Sequence, residues 1–243
     1  MTIWDTHQKV SVALGRNLLI LKSMKLARLH TQANTEPYWH VHLTVVVAIC
    51  LQLVLSNRLT VGPKYAIAGL EGLLLIALAL FASGHHKAIL HARRGMAILL
   101  IAIVSVANLS SLVLIINDLL IAKKISGREL LLSGLAIYLT NIIIYGLWYW
   151  ELDSNGNQAQ AVETPPIDFL FPQMTLKSSL LGAKGWNPTF FDYLYISVTN
   201  ASAFSPTDTM PLTHRTKLLM TAQSLTSLVT VALVAARAVN ILA

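Results

Sequence analysis

Charge is what this chain has least of. Asp, Glu, Lys and Arg make up 12% of its 243 residues, against about 25% in an ordinary soluble domain. The hydrophobic share is 55%, gathered into five long apolar runs, and a soluble fold of this length could not bury all of them and keep a polar surface. Cysteine is nearly absent. Cys50 stands alone, which excludes an intrachain disulfide and a thiolate metal cluster and leaves it a packing role. Acidic residues number 11 against 18 Lys and Arg, a net charge of +7. The basic residues cluster outside the apolar runs, an arrangement that suits anionic lipid head groups and argues against nucleic acid as a partner. Met1 to His30 lack the basic-then-apolar pattern and small-residue cleavage site of a removable signal peptide, so the first span is expected to direct insertion. Also missing are a Gly-rich phosphate loop, a nucleophile elbow, a paired-carboxylate motif and HExxH, so no enzyme activity and no cofactor are expected.

What is present reads as an all-α, polytopic membrane protein. Over residues 1–40, Lys9, Arg16, Lys22, Lys25 and Arg28 alternate with Val10, Leu14, Leu18 and Leu21 at helical spacing, the pattern of a basic helix lying at the membrane surface. Its charges interrupt every stretch that approaches the ~20 apolar residues of a crossing. Pro37, Tyr38 and Trp39 then fit the head-group level, and five spans are expected at about 41–55, 65–82, 95–116, 130–150 and 218–242. A loop with His85, His86, Lys87, His91, Arg93 and Arg94 joins the second span to the third. A polar connection over 117–129 joins the third to the fourth, which ends in the interfacial aromatics Trp148, Tyr149 and Trp150. The polar, turn-rich stretch 151–166 lies outside the bilayer. From Phe190 a run too brief to cross is broken at Pro206. Irregular backbone at membrane depth is tolerated only inside protein or against a water-filled cavity, so residues 190–212 are expected to form a re-entrant segment. Three parts follow: the surface helix 1–40, a three-span domain 41–129, and a pore-like module 130–243.

Read from Ser197, the chain runs SVTNASAFSPTDTMPLT. This resembles, without a gap, the pore-loop pattern of potassium channels, S-V-x-T-x-T-T-V-G-Y-G-D-x-x-P-x-T. Ser197, Val198, Ser202 (for Thr), Asp208, Pro211 and Thr213 fall on matching positions. The order of outer helix, pore helix, turn and inner helix matches too. DYLY and TNASAFSPTDTMPLT, followed by a span ending ARAVNIL, also resemble a family of bacterial membrane proteins grouped with such channel-like sequences. The likeness covers residues 130–243. It implies a multi-pass protein of the bacterial inner membrane, assembled as a homotetramer around a central pore that passes ions.

The filter positions depart from that pattern. They read Ala203, Phe204, Ser205, Pro206 and Thr207, with no glycine to permit inward-aimed carbonyls and with Pro206 fixing its own backbone angle. A potassium-selective carbonyl ladder is therefore not expected. Hydroxyls of Ser202, Ser205 and Thr207 or a ring of Asp208 would meet the permeant ion, or the turn only plugs the bundle. On the last span Gln223, Ser227 and Thr230 share a face that either lines the pore or glues helices together. Glu71, inside an apolar run, is either a proton or cation site or a carboxyl bonded to Asn108 or Asn141. His85, His86 and His91, like His40 and His42, are read as solvated, not as metal ligands. Orientation stays open. Channel topology puts the N-terminus outside, while the distribution of Lys and Arg puts it inside, unless a sixth crossing lies within residues 9–29. A non-conducting scaffold or small-solute transporter is the alternative function.

Overall fold

The computed structural model describes residues 39–55, 59–60, 64–80, 87–121, 126–153, 168–175, 186, 188–203 and 209–242. The basic helix expected over 1–40 falls outside them up to residue 38. Among the described residues the elements are α1 (Trp39–Val54), α2 (Lys64–Leu80), α3 (Lys87–Leu120), α4 (Gly127–Asp153), β1 (Phe169–Leu170), α5 (Pro172–Thr175), α6 (Phe190–Ala203), β2 (Met210–Pro211) and α7 (His214–Leu242). The all-α reading holds apart from one short antiparallel ladder, which pairs Phe169 with Pro211 and Leu170 with Met210.

Local chemistry sets several ends. Ser126 caps α4, accepting from the Glu129 amide at 3.1 Å, with Glu129 at the third helical position as in a capping box. Thr189 opens α6, where the Asp192 carboxylate reaches back to its amide at 2.6 Å and its hydroxyl at 2.8 Å. Two helices outrun their apolar cores. Lys87, His91, Arg93 and Arg94, expected in a loop, form the first turns of α3, where the Arg94 guanidinium is held by Glu151 of α4. Likewise α3 continues through Asn117 and Asp118, and α7 starts at His214, ahead of the expected Leu218.

Among the described residues, three helices carry segments long and apolar enough to cross a bilayer: Ala92–Leu120, Gly127–Asp153 and His214–Ala236. The apolar parts of α1 and α2, His42–Val54 and Ile67–Leu80, are shorter. Burial is inverted relative to a soluble protein. Leu73 is 64% exposed, Val106 68% and Leu225 58%, while Glu71 and Gln223 are fully buried. An apolar outside over a polar inside needs hydrocarbon around it, so this is a membrane protein.

The bundle is organised around α4, which packs against α1, α3, α6 and α7, while α2 packs against α1 and α3. Small residues make that central position possible. A Cβ on Gly146 would stand 3.3 Å from the Cα of Leu194 in α6, and one on Gly134 would lie 2.4 Å from Val234 Cγ2 in α7, so both glycines let neighbouring helices approach closely. On the α3 side, Trp148 donates its indole N–H to Ser105 at 3.0 Å, and Arg94 Nε pairs with Glu151 Oε1 at 3.2 Å.

Candidate functional site: the polar seam between α4, α6 and α7

With 14 residues, α6 is about 21 Å long at 1.5 Å per residue, well short of the ~30 Å hydrocarbon layer. It starts beside the end of α4, where Phe190 packs edge-on against Trp150 and the Tyr193 hydroxyl donates to Asp153 Oδ2. Deeper along α6, Ser197 donates to the Ile142 carbonyl at 2.6 Å and Asn200 to the Met220 carbonyl at 2.9 Å.

Gln223 joins the three helices. Its amide nitrogen donates to the Ser197 carbonyl at 2.9 Å and the Ser197 hydroxyl at 2.6 Å, and its oxygen accepts from Tyr149 at 2.6 Å and Asn200 at 2.8 Å. One turn on, Asn141 donates to the Ser227 hydroxyl at 2.8 Å, and Ser224 donates to Asn200 Oδ1 at 3.1 Å. Every one of these groups from α4 and α6 is at most 2% exposed. A polar seam at this depth is sustained only because its donors find acceptors within the chain.

After residue 208 the chain returns to the end where α6 began. Its β2 pairs with β1, and the Leu212 amide donates to the Asp168 carbonyl at 2.9 Å. Asp168, 1% exposed, is the hub of this closure. Its carboxylate receives both Arg215 nitrogens and the Thr213 hydroxyl, and its amide donates to Asp153 Oδ1 at 3.2 Å. Residues 204–208 are thus bracketed by two anchored ends.

The expected site residues fall into four groups. Ser202 is exposed, its hydroxyl donating to the Val198 carbonyl at 2.8 Å, and Ala203 ends α6. Phe204, Ser205, Pro206, Thr207 and Asp208 lie outside the described residues. Gln223, Ser227 and Thr230 are buried against their own chain, and Thr230 donates back to the Thr226 carbonyl at 2.8 Å. Of the two readings for that face, helix–helix packing accounts for the contacts made within the chain. Glu71 is buried, but its partner is Gln52 of α1 and not Asn108 or Asn141, since the Asn141 amide is taken by Ser227. His85 and His86 lie outside the described residues.

Sequence reasoning singled out neither Asn200 nor Tyr149 as a partner of Gln223, although a helical run of Ser197, Asn200 and Ser224 with Gln223 was visible as polar residues in apolar segments. Nothing in the sequence signalled the Asp168–Arg215 pair. Comparison with protein-family models, with curated proteins and with solved structures found no match for this chain.

Proposed function

We propose that the chain is a subunit of an ion-channel-like oligomer in the bacterial inner membrane, with five spans formed by α1 to α4 and α7 and with α6 as a re-entrant pore helix. The observation that carries this reading is α6. It is about two thirds the length of a crossing, is fixed to α4 and α7 by buried hydrogen bonds, and leads into a segment whose far end is anchored back at the level where α6 began. A single loop and inner helix cannot enclose a pore, so copies of the chain, four by the channel resemblance, would bring residues 202–208 to a shared axis.

In this reading Ser202, Ser205, Thr207 and Asp208 meet the permeant ion through hydroxyls and carboxylates and not through a potassium-type carbonyl ladder. Gln223, Ser227 and Thr230 stand one layer behind, holding α6 on α7. The outward side of α7, with Thr221, Leu225 and Leu228, is the surface left for pore or subunit contacts. The test is flux through purified protein in liposomes under varied voltage, pH and tension. Passage of ions, with selectivity altered by Asp208→Asn or Ser205→Ala, is expected. No flux under any of these conditions refutes the reading.

One observation favours the second function, a non-conducting scaffold or small-solute transporter in which residues 202–208 plug the bundle: the polar face of α7 points into its own chain. A map of the oligomer with residues 202–208 away from any symmetry axis would decide for it.

A further inference from the structure

Glu71 belongs to the other half of the bundle, away from α6. It lies on α2 with no exposed surface. A carboxylate so placed needs a cation or several donors. Among the residues whose side chains are described, no Lys or Arg is paired with it; its hydrogen-bond partner is the Gln52 amide. In the orientation that suits an ionised carboxylate, the Gln52 nitrogen donates to Oε2 at 3.1 Å and Oε1 at 3.2 Å. In the opposite orientation the amide oxygen sits at that place and accepts the O–H of a neutral acid. An amide is the side chain that can serve both forms by turning over, because it carries a donor at one end and an acceptor at the other.

Gln52 also has a second neighbour. It lines a small cavity with Thr60, Ile67, Ala68, Ser110 and Ser111, between α1, α2 and α3. The Ser110 and Ser111 hydroxyls donate to the Ala107 carbonyl at 2.8 and 2.9 Å, which leaves their oxygens able to accept from water. The residue that touches the carboxyl is therefore one that lines the cavity, whose walls are mostly apolar but carry the polar groups of Gln52, Thr60, Ser110 and Ser111.

We propose that Glu71 and Gln52 form a buried proton-binding site loaded from this cavity. A hydronium in the cavity gives up its proton to a Glu71 oxygen and is left as water. The carboxylate becomes a carboxylic acid, and the Gln52 amide turns from donor to acceptor. The site stands independently of the pore reading, since none of its residues lies in α4, α6 or α7.

Infrared spectroscopy of the full-length protein in liposomes tests it, through the C=O stretch of a protonated carboxyl. The expected wild-type spectrum has such a band at neutral pH, lost as the pH is raised and shifted in heavy water. The band is expected to vanish in Glu71→Gln, to stay in Glu151→Gln, and to move to higher frequency in Gln52→Leu, where the acid loses its partner. A wild-type spectrum with no carboxylic band at neutral pH, or a band that survives in Glu71→Gln, overturns the proposal. So does a band that emerges only after sodium and potassium are removed, which would assign the site to a metal cation. Should Glu71→Gln fail to fold, Glu71→Asp serves in its place: it keeps a carboxyl whose band is expected at a different frequency, and a band that does not move overturns the proposal.

Discussion

Replacing Gln223 by Leu should be among the most damaging single changes in the membrane part of this protein. Four hydrogen bonds end at that side chain, from or to Ser197, Tyr149 and Asn200, and none is open to solvent. Interhelical hydrogen bonds in membranes average about 0.6 kcal/mol each, so the four together are worth about 2–3 kcal/mol. Leucine has a similar volume, so a cavity adds little. Asn200 keeps the Met220 carbonyl as an acceptor, whereas the Tyr149 hydroxyl loses its partner at 2.6 Å and keeps only the Asn200 amide at 3.4 Å. For a chain of this size a loss of about 2–3 kcal/mol lowers the midpoint of thermal unfolding by roughly 4–12 °C. The assay is thermal unfolding of purified protein in detergent, with Leu225→Ala, on the exposed side of the same helix, as the control. Combining Gln223→Leu with Asn200→Leu should cost less than the sum of the two, since they share a bond. If Gln223→Leu unfolds no earlier than Leu225→Ala, the seam contributes nothing to stability and the account of α6 given above is wrong.

Other perturbations separate the structural roles. Gly146→Ala should destabilise by about 1–3 kcal/mol, because its Cβ would press on the Leu194 backbone; Gly72→Ala, with open space around it, should be neutral or stabilising in the same unfolding measurement. Arg215→Ala leaves the Asp168 carboxylate buried with fewer donors, at a cost of about 1–3 kcal/mol. Limited proteolysis should then cut more readily between residues 203 and 214, and unchanged cleavage would mean that the ion pair does not hold the β1–β2 closure. Trp148→Phe removes the donor to Ser105 and should loosen α3 from α4 by about 0.6 kcal/mol, read as the difference from the same substitution in a Ser105→Ala background, where no difference is expected.

How much could be read in advance depended on whether the signal was local. Apolar runs are local, and they located α1, α2, α4, α7 and the short α6 to within about four residues, whereas α3 starts eight residues ahead of the expected 95. Where charged residues flank a run the ends were misjudged: Arg93 and Arg94 belong to α3, with Arg94 paired to Glu151 of α4, a long-range contact that composition alone does not reveal. The face of Gln223, Ser227 and Thr230 was legible as a face, but a pore wall and a packed interface ask for the same small and polar residues, and only the position of Ser197, Tyr149, Asn141 and Asn200 separates them. The β1–β2 ladder had no signature, being two residues long and set by pairings across a separation of about forty positions. Gln52 as the partner of Glu71 was equally hidden, since the helical phases of α1 and α2 do not reveal which faces meet.

The central place of α4 bears on how the protein is made. Helices α1 and α3 both rest on α4, which leaves the synthesis machinery after them, so these two reach the bilayer before the surface they share exists. A nascent chain halted before Gly127 would hold Val45, Leu100 and Val104 against lipid in place of Ile144 and Leu147. Completion of a single later segment thus commits the earlier ones, and quality-control proteases would meet their best substrate in that interval.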